Sequence, residues 1–215
     1  MMMGQGVMPG PADTYISYGE NWANVSNTPF RYYKHFVHEG GISTPLVVHW
    51  PAGITRRGEL ERQPGHLVDL MATCVDVSGA AYPSEYHSHK ITPMEGKSLC
   101  PAFAGKPIGR VAPIFWEHEG NRALRLGKWK LVARRPGPTN CEIYDLEKGK
   151  WKTVVRNPGG NWELYDMEKD RTEMVNLAAM EPDRVREMAA GWEAFARRTH
   201  VLPWPWKPPY GEKDQ

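Results

Sequence analysis

Long hydrophobic runs are missing from this chain of 215 residues. The longest, such as Pro45 to Val48, is far too short to cross a bilayer. An excess of either charge is missing too: Lys+Arg 27 against Asp+Glu 25 leaves +2, with the signs interspersed. The basic pairs Arg56-Arg57, Arg134-Arg135 and Arg197-Arg198 read as solvated surface, so no nucleic-acid partner is expected. Cysteine is scarce. Cys74, Cys100 and Cys141 make no disulfide framework, and their spacing lacks the close pairs of a zinc site. Buried free thiols are expected. The first ten residues, with no Lys or Arg and no apolar core, do not read as a signal peptide, and the compartment stays open.

Glycine, proline and aromatic residues are abundant. There are 21 Gly and 19 Pro, which argues against long helices throughout. Nine Trp and an aromatic content of 11% argue for a packed core.

Residues 1–33 read as irregular loop. Thr44 to Trp50 reads as a short strand buried on both faces, bounded by Pro45 and Pro51. His66 to Ser78 reads as a helix, with Leu67, Leu70, Met71, Cys74 and Val77 at helical spacing and Gly79 as its stop. A loop from Tyr82 to Pro93 and a helical turn within Ser98 to Gly105 follow. Three short strands come next: Pro113–Glu117, Arg122–Leu126 and Trp129–Val132, with Gly127-Lys128 as a hairpin turn.

An internal repeat lies here. Lys128-Trp129-Lys130-Leu131-Val132 recurs as Lys150-Trp151-Lys152-Thr153-Val154, and Glu142-Ile143-Tyr144-Asp145 as Glu163-Leu164-Tyr165-Asp166. A duplicated strand-turn-strand unit that widens one sheet is expected. Pro182 to Thr199 is the clearest helix, its stripe formed by Val185, Met188, Ala189, Trp192, Phe195 and Ala196. The Trp/Pro-rich stretch Leu202 to Pro209 reads as an extended strap.

The richest segment for chemistry is Lys34-His35-Phe36-Val37-His38-Glu39-Gly40-Gly41. It sets one Lys and two His before a Gly-Gly turn, which permits positive φ or close backbone approach. Glu39 is expected to accept backbone N–H groups of that turn. Taken alone, Lys34 is an ordinary surface lysine, and His35 and His38 are packing residues. His118, between Glu117 and Glu119 at a strand tip, reads either as a substrate contact or as a loop histidine bonded to carboxylates. The trio His66, His87 and His89 shows no metal spacing, and no metal ligands are expected in the chain.

The pattern Lys-x-x-x-x-Glu-Gly-Gly at Lys34–Gly41, followed by a Pro-led apolar segment and Trp50-Pro51, resembles the formylglycine-dependent sulfatase family of the alkaline phosphatase superfamily. Tyr18–Asn24 with Asn27–Phe30 is similar to the arylsulfatase loop ahead of that lysine. His66–Thr73, Glu117–Arg125 with Gly127–Leu131, and Glu163–Asp166 with Asn176–Ala178 resemble later family segments in order. The resemblance implies an α/β fold: the C-terminal part of a sulfatase-like α/β sandwich, plus a small antiparallel sheet packed on a C-terminal helix. Residues 1–110 would close the main domain, 111–200 would form the sheet-and-helix subdomain, and 201–215 a tail.

It also implies hydrolysis of sulfate esters by a formylglycine nucleophile with calcium. Lys34 falls on the sulfate-contacting lysine, and His118, His38 and His35 are candidate substrate contacts. Cys74, Cys100 and Cys141 do not start the Cys/Ser-x-Pro-x-Arg motif, nor does any Ser, and no Asp-Asn pair supplies calcium ligands. The chain alone is therefore expected to be inactive. Its expected partners are a sulfated small molecule or glycan, and a missing N-terminal half or a second copy. A non-catalytic module binding sulfated carbohydrate through its Trp faces, and a related phosphatase or phosphonate hydrolase, are the alternative readings.

Overall fold

In the computed structural model, residues 8, 10–14, 19–135, 139–145, 150–156 and 160–201 are described, and within 139–145 and 150–156 only the backbone. The Leu202–Pro209 strap and Tyr18 lie outside the described residues. The elements in chain order are α1 (Gly19–Ser26), α2 (Glu39–Ile42), α3 (Val68–Ser78), β1 (Glu85–Tyr86), β2 (His89–Lys90), α4 (Cys100–Phe103), β3 (Ile114–His118), β4 (Asn121–Leu126), β5 (Trp129–Ala133), β6 (Thr139–Asp145), β7 (Lys150–Arg156), β8 (Glu163–Asp166) and α5 (Pro182–Arg198). Helices and antiparallel sheets are mixed, as expected. No helix among the described residues is long and apolar enough to cross a membrane. The chain divides into two compact units, residues 45–114 and the remainder.

The larger unit is built on a four-stranded sheet of order β3-β4-β5-β8. β4 and β5 pair antiparallel through a tight turn at Gly127, whose φ of 57° is the left-handed region that glycine enters freely. Alternation along the strands gives the sheet two buried faces. Leu124, Leu131 and Leu164 pack on Met188, Trp192 and Ala196 of α5. Their neighbours Ala123, Val132 and Tyr165 turn to the other face, where Val37 and Met167 cover them. The stripe expected on α5 is thus the buried one. Phe195 stacks on Phe115 at 4.3 Å between ring centroids, and the Trp192 indole donates to the Trp116 carbonyl at 3.2 Å.

Only part of the repeat widens this sheet. β8 joins it beside β5, but β6 and β7 form a two-stranded sheet of their own. In both places a Lys-Trp-Lys strand pairs with a Tyr-Asp strand, but one residue out of step: Trp129 faces Asp166, whereas Trp151 faces Tyr144. The two pairings therefore differ in register by one residue and are not equivalent. Residues 19–26, expected to be loop, form the helix α1.

In the smaller unit α3 starts two residues later than expected and ends at Gly79, whose φ of 66° closes it. Its apolar stripe is not buried: Leu67, Leu70, Met71 and Val77 are exposed, and Cys74 is exposed where a buried thiol was expected. Cys100 is partly buried, and the side chain of Cys141 lies outside the described residues. What α3 buries is Asp69 and Ala72. The Asp69 carboxylate accepts the backbone N–H of His66 at 2.7 Å and of Lys97 at 2.8 Å, and is salt-bridged to Arg110. This polar hub, rather than a greasy face, organises the unit. Thr44–Trp50 is also a correction: it is irregular and exposed rather than a buried strand. Among the described residues no strand pairs with it, and an unpaired segment has no ladder to join. Within the expected Tyr82–Pro93 loop, β1 and β2 make a minimal hairpin, and α4 lies where the helical turn was expected.

Candidate functional site

The Lys34 loop lies on the sheet face opposite α5, and Val37 is its apolar anchor. Two buried polar groups fix it there. Glu39 is 4% exposed; its carboxylate receives Lys130 Nζ at 2.9 Å and Arg171 Nη2 at 2.9 Å. Burial alone would raise the Glu39 pKa, but Lys130 and Arg171 hold it below the usual carboxylate range. Among the described residues, then, the Glu39 carboxylate is held by cations, not by the backbone N–H groups expected. Its own N–H donates to Glu173 Oε2 at 2.9 Å. The Glu173 carboxylate is in turn ion-paired to Lys130, with Nζ 2.8 Å from Oε1.

The second group is His38, wholly buried, with Nε2 3.3 Å from Glu163 Oε2. Tyr165 donates its hydroxyl to the same carboxylate, and Arg31 approaches it to 3.7 Å. Burial opposes ionisation of Glu163, yet the His38 and Tyr165 hydrogen bonds and the Arg31 charge bring its pKa down to about 2. Burial and the bond to Glu163 push the Tyr165 phenol up. His38 is therefore turned into the sheet, away from solvent, and holds the loop down.

Gly40 and Gly41 allow the loop to pass this close. A Cβ on Gly40 would lie 2.2 Å from the Arg31 carbonyl oxygen, and one on Gly41 1.9 Å from that of Phe36. Close approach is what these glycines supply, since neither has a positive φ.

Lys34 and His35 remain on the surface. Lys34 makes no hydrogen bond or ion pair with another described residue. His35 Nδ1 lies 2.7 Å from Glu119 Oε2, and its ring stacks on that of His118 at 5.9 Å and 23°. His118 Nε2 is 3.9 Å from Glu119 Oε1. Below them Asn121, 4% exposed, donates from Nδ2 to the His35 carbonyl at 2.8 Å and to the His118 carbonyl at 3.0 Å. One buried amide thus ties the loop to the β3–β4 turn. The structure brings His35 and His118 together and sets Lys34 beside them in the chain. It separates His38 from them. Glu119 and Asn121 are the members that sequence reasoning missed; the run Glu-His-Glu-Gly-Asn held them in view, but nothing in it showed what they would face.

Calcium takes six to eight oxygen donors. Glu39, Glu163 and Glu173 are all engaged by cations or phenol. Among the described residues the group of three donor side chains that converge is His35, His118 and Glu119, two nitrogens and one carboxylate. These residues do not fit calcium, and no cysteine or serine stands in the formylglycine motif.

No family model matches the chain. A protein named as an uncharacterized sulfatase from Schizosaccharomyces pombe is 28% identical over 196 residues, covering 90% of this chain and 32% of its own length. The arylsulfatase of Klebsiella aerogenes is 34% identical over 106 residues, 49% of this chain and 23% of that protein. A solved structure described as the crystal structure of Ps i-CgsB is 21% identical with a TM-score of 0.46, covering 69% of this chain and 27% of that one, a likeness too loose to argue from. The chain is similar in sequence to proteins named as sulfatases. It spans about a third or less of the length of the curated relatives it matches.

Proposed function

We propose that this chain is the C-terminal part of a sulfatase that hydrolyses sulfate esters, and that Lys34 contacts a sulfuryl oxygen of the substrate. The observation that carries this reading is the state of Lys34. Among the described residues it has no carboxylate partner, and it directly precedes His35 on an exposed loop that buried ion pairs anchor. A compact ammonium on such a loop suits a point contact to an anionic group. Hydrolysis replaces the ester oxygen on sulfur with the oxygen of water, and the alcohol leaves with a proton. Fixed positive charge lowers the barrier by stabilising the sulfuryl oxygens. The calcium ligands and the nucleophile that the resemblance implies are not supplied by these residues, so the chain by itself binds without turning over. His35 and His118 flank the bound group.

The test is titration of the full chain with an aryl sulfate, followed by the amide and side-chain NMR shifts of the Lys34 loop. Binding is expected, weakened at least about tenfold in Lys34→Ala, as for loss of one charge-assisted hydrogen bond. Equal binding by wild type and Lys34→Ala overturns the assignment. Release of the phenol by the chain alone, lost in Lys34→Ala, overturns the view that a nucleophile is lacking.

A further inference from the structure

Three donors of metal-ligating type converge at the tip of the Lys34 loop. The ligand atoms of His35, His118 and Glu119 lie within 4.8 Å of one another. We propose that they form a binding site for one divalent transition-metal ion of the zinc class. The inference goes beyond the sulfate reading of Lys34 and does not rest on it.

The donor set decides the class of ion. Two imidazole nitrogens and one carboxylate oxygen suit zinc, cobalt, nickel or copper and are poor for calcium or magnesium. The geometry is already close. A tetrahedral centre about 2 Å from each donor needs donors about 3.3 Å apart. Here His35 Nδ1 lies 2.7 Å from Glu119 Oε2 and His118 Nε2 lies 3.9 Å from Oε1 of the same carboxylate, within reach of that spacing. Small side-chain rotations open the first and close the second. Both imidazoles are exposed and Glu119 is partly so, which leaves the fourth position open to water or to an anion.

An ordinary exposed His–Glu pair would not merit this assignment. What sets the cluster apart is the backbone that holds it. His35 has φ 85° and Glu119 has φ 53°, left-handed conformations that residues with a Cβ adopt at a cost. Each presents one donor, and each is held in place by its surroundings. Asn121, almost fully buried, binds the carbonyls of both His35 and His118 and accepts the Arg135 N–H at 3.2 Å. Glu117, the other acid of the turn, is turned aside to accept the Gly120 N–H at 2.8 Å, which leaves Glu119 to face the two imidazoles. Two segments 84 residues apart in sequence are thereby held with their donors converging before any ion arrives. Preorganisation of this kind lowers the cost of ordering that a metal site on mobile loops would meet.

The experiment uses the full chain, stripped of metal, with zinc chloride in calorimetry and cobalt(II) chloride in visible absorption. One equivalent of zinc is expected to bind, and bound cobalt is expected to show the intense visible bands of a low-coordinate site. His118→Ala and Glu119→Gln should each weaken zinc at least about tenfold. His118 is exposed and Glu119 partly so, and unchanged far-ultraviolet circular dichroism checks that the fold is kept. A control variant carrying His87→Ala, His89→Ala and Cys74→Ser removes other exposed donors and should bind zinc as wild type does. The proposal is overturned if wild type takes up no zinc, if His118→Ala and Glu119→Gln bind it undiminished, or if the control variant loses it.

Discussion

Replacing Lys130 with methionine tests what holds the Lys34 loop to the sheet. Lys130 is fully buried on β5, with Nζ 2.9 Å from Glu39 Oε1 and 2.8 Å from Glu173 Oε1. Methionine keeps the length and the apolar stem but removes the charge. Glu39 retains Arg171 at 2.9 Å, whereas Glu173, 0% exposed, loses the cation that neutralises it. Stranding a buried charge in this way costs about 3–5 kcal/mol. With a urea dependence of about 2 kcal/mol per molar, the unfolding midpoint falls by about 2 M. Tryptophan fluorescence reports it, because Trp129, Trp162 and Trp192 pack on the other face of the same sheet. The double variant Lys130→Met with Glu173→Gln should recover most of the loss, since the stranded carboxylate is then gone. A midpoint for Lys130→Met within about 0.5 M of wild type, at unchanged slope, would refute the reasoning. It would mean that the two carboxylates meet water or a proton freely once the lysine is removed.

Two further predictions concern the same loop. Glu163 has a folded-state pKa of about 2 against an ordinary 4.5, so its contribution is complete above pH 4.5 and disappears as pH falls toward 2. That contribution is at most about 3 kcal/mol. Glu163→Gln should therefore flatten the acid limb of stability measured by urea unfolding between pH 7 and pH 3; an acid limb as steep as wild type would sink the assignment. Gly41→Ala places a Cβ 1.9 Å from the Phe36 carbonyl oxygen, and backbone must move to relieve it. A loss of about 3 kcal/mol is expected, seen as a thermal midpoint lower by about 6–12 °C. An unchanged midpoint would show that the turn relaxes without cost.

The sequence by itself determined the local elements and the order of the motifs. Strand alternation at 113–132, the Gly127 turn and the stripe on α5 are written in short-range patterns, and each appeared where the pattern placed it. The Glu-Gly-Gly turn was also legible, because glycine is required wherever backbone approaches backbone. Tertiary structure decided the rest. Whether an apolar segment is buried depends on what covers it: the stripe of α3 and the segment Thr44–Trp50 have the composition of a core but lie exposed. The repeat was visible, but its register was not, because pairing is settled between strands and not within one. The site shows the same division. Lys34, His35 and His118 stood out by residue type, but only the fold could bring Glu119 to His35 from 84 residues away. Only the fold could turn His38 inward to Glu163 while leaving His35 outside, since neighbours along one chain are sent to opposite surroundings by the sheet they pack on.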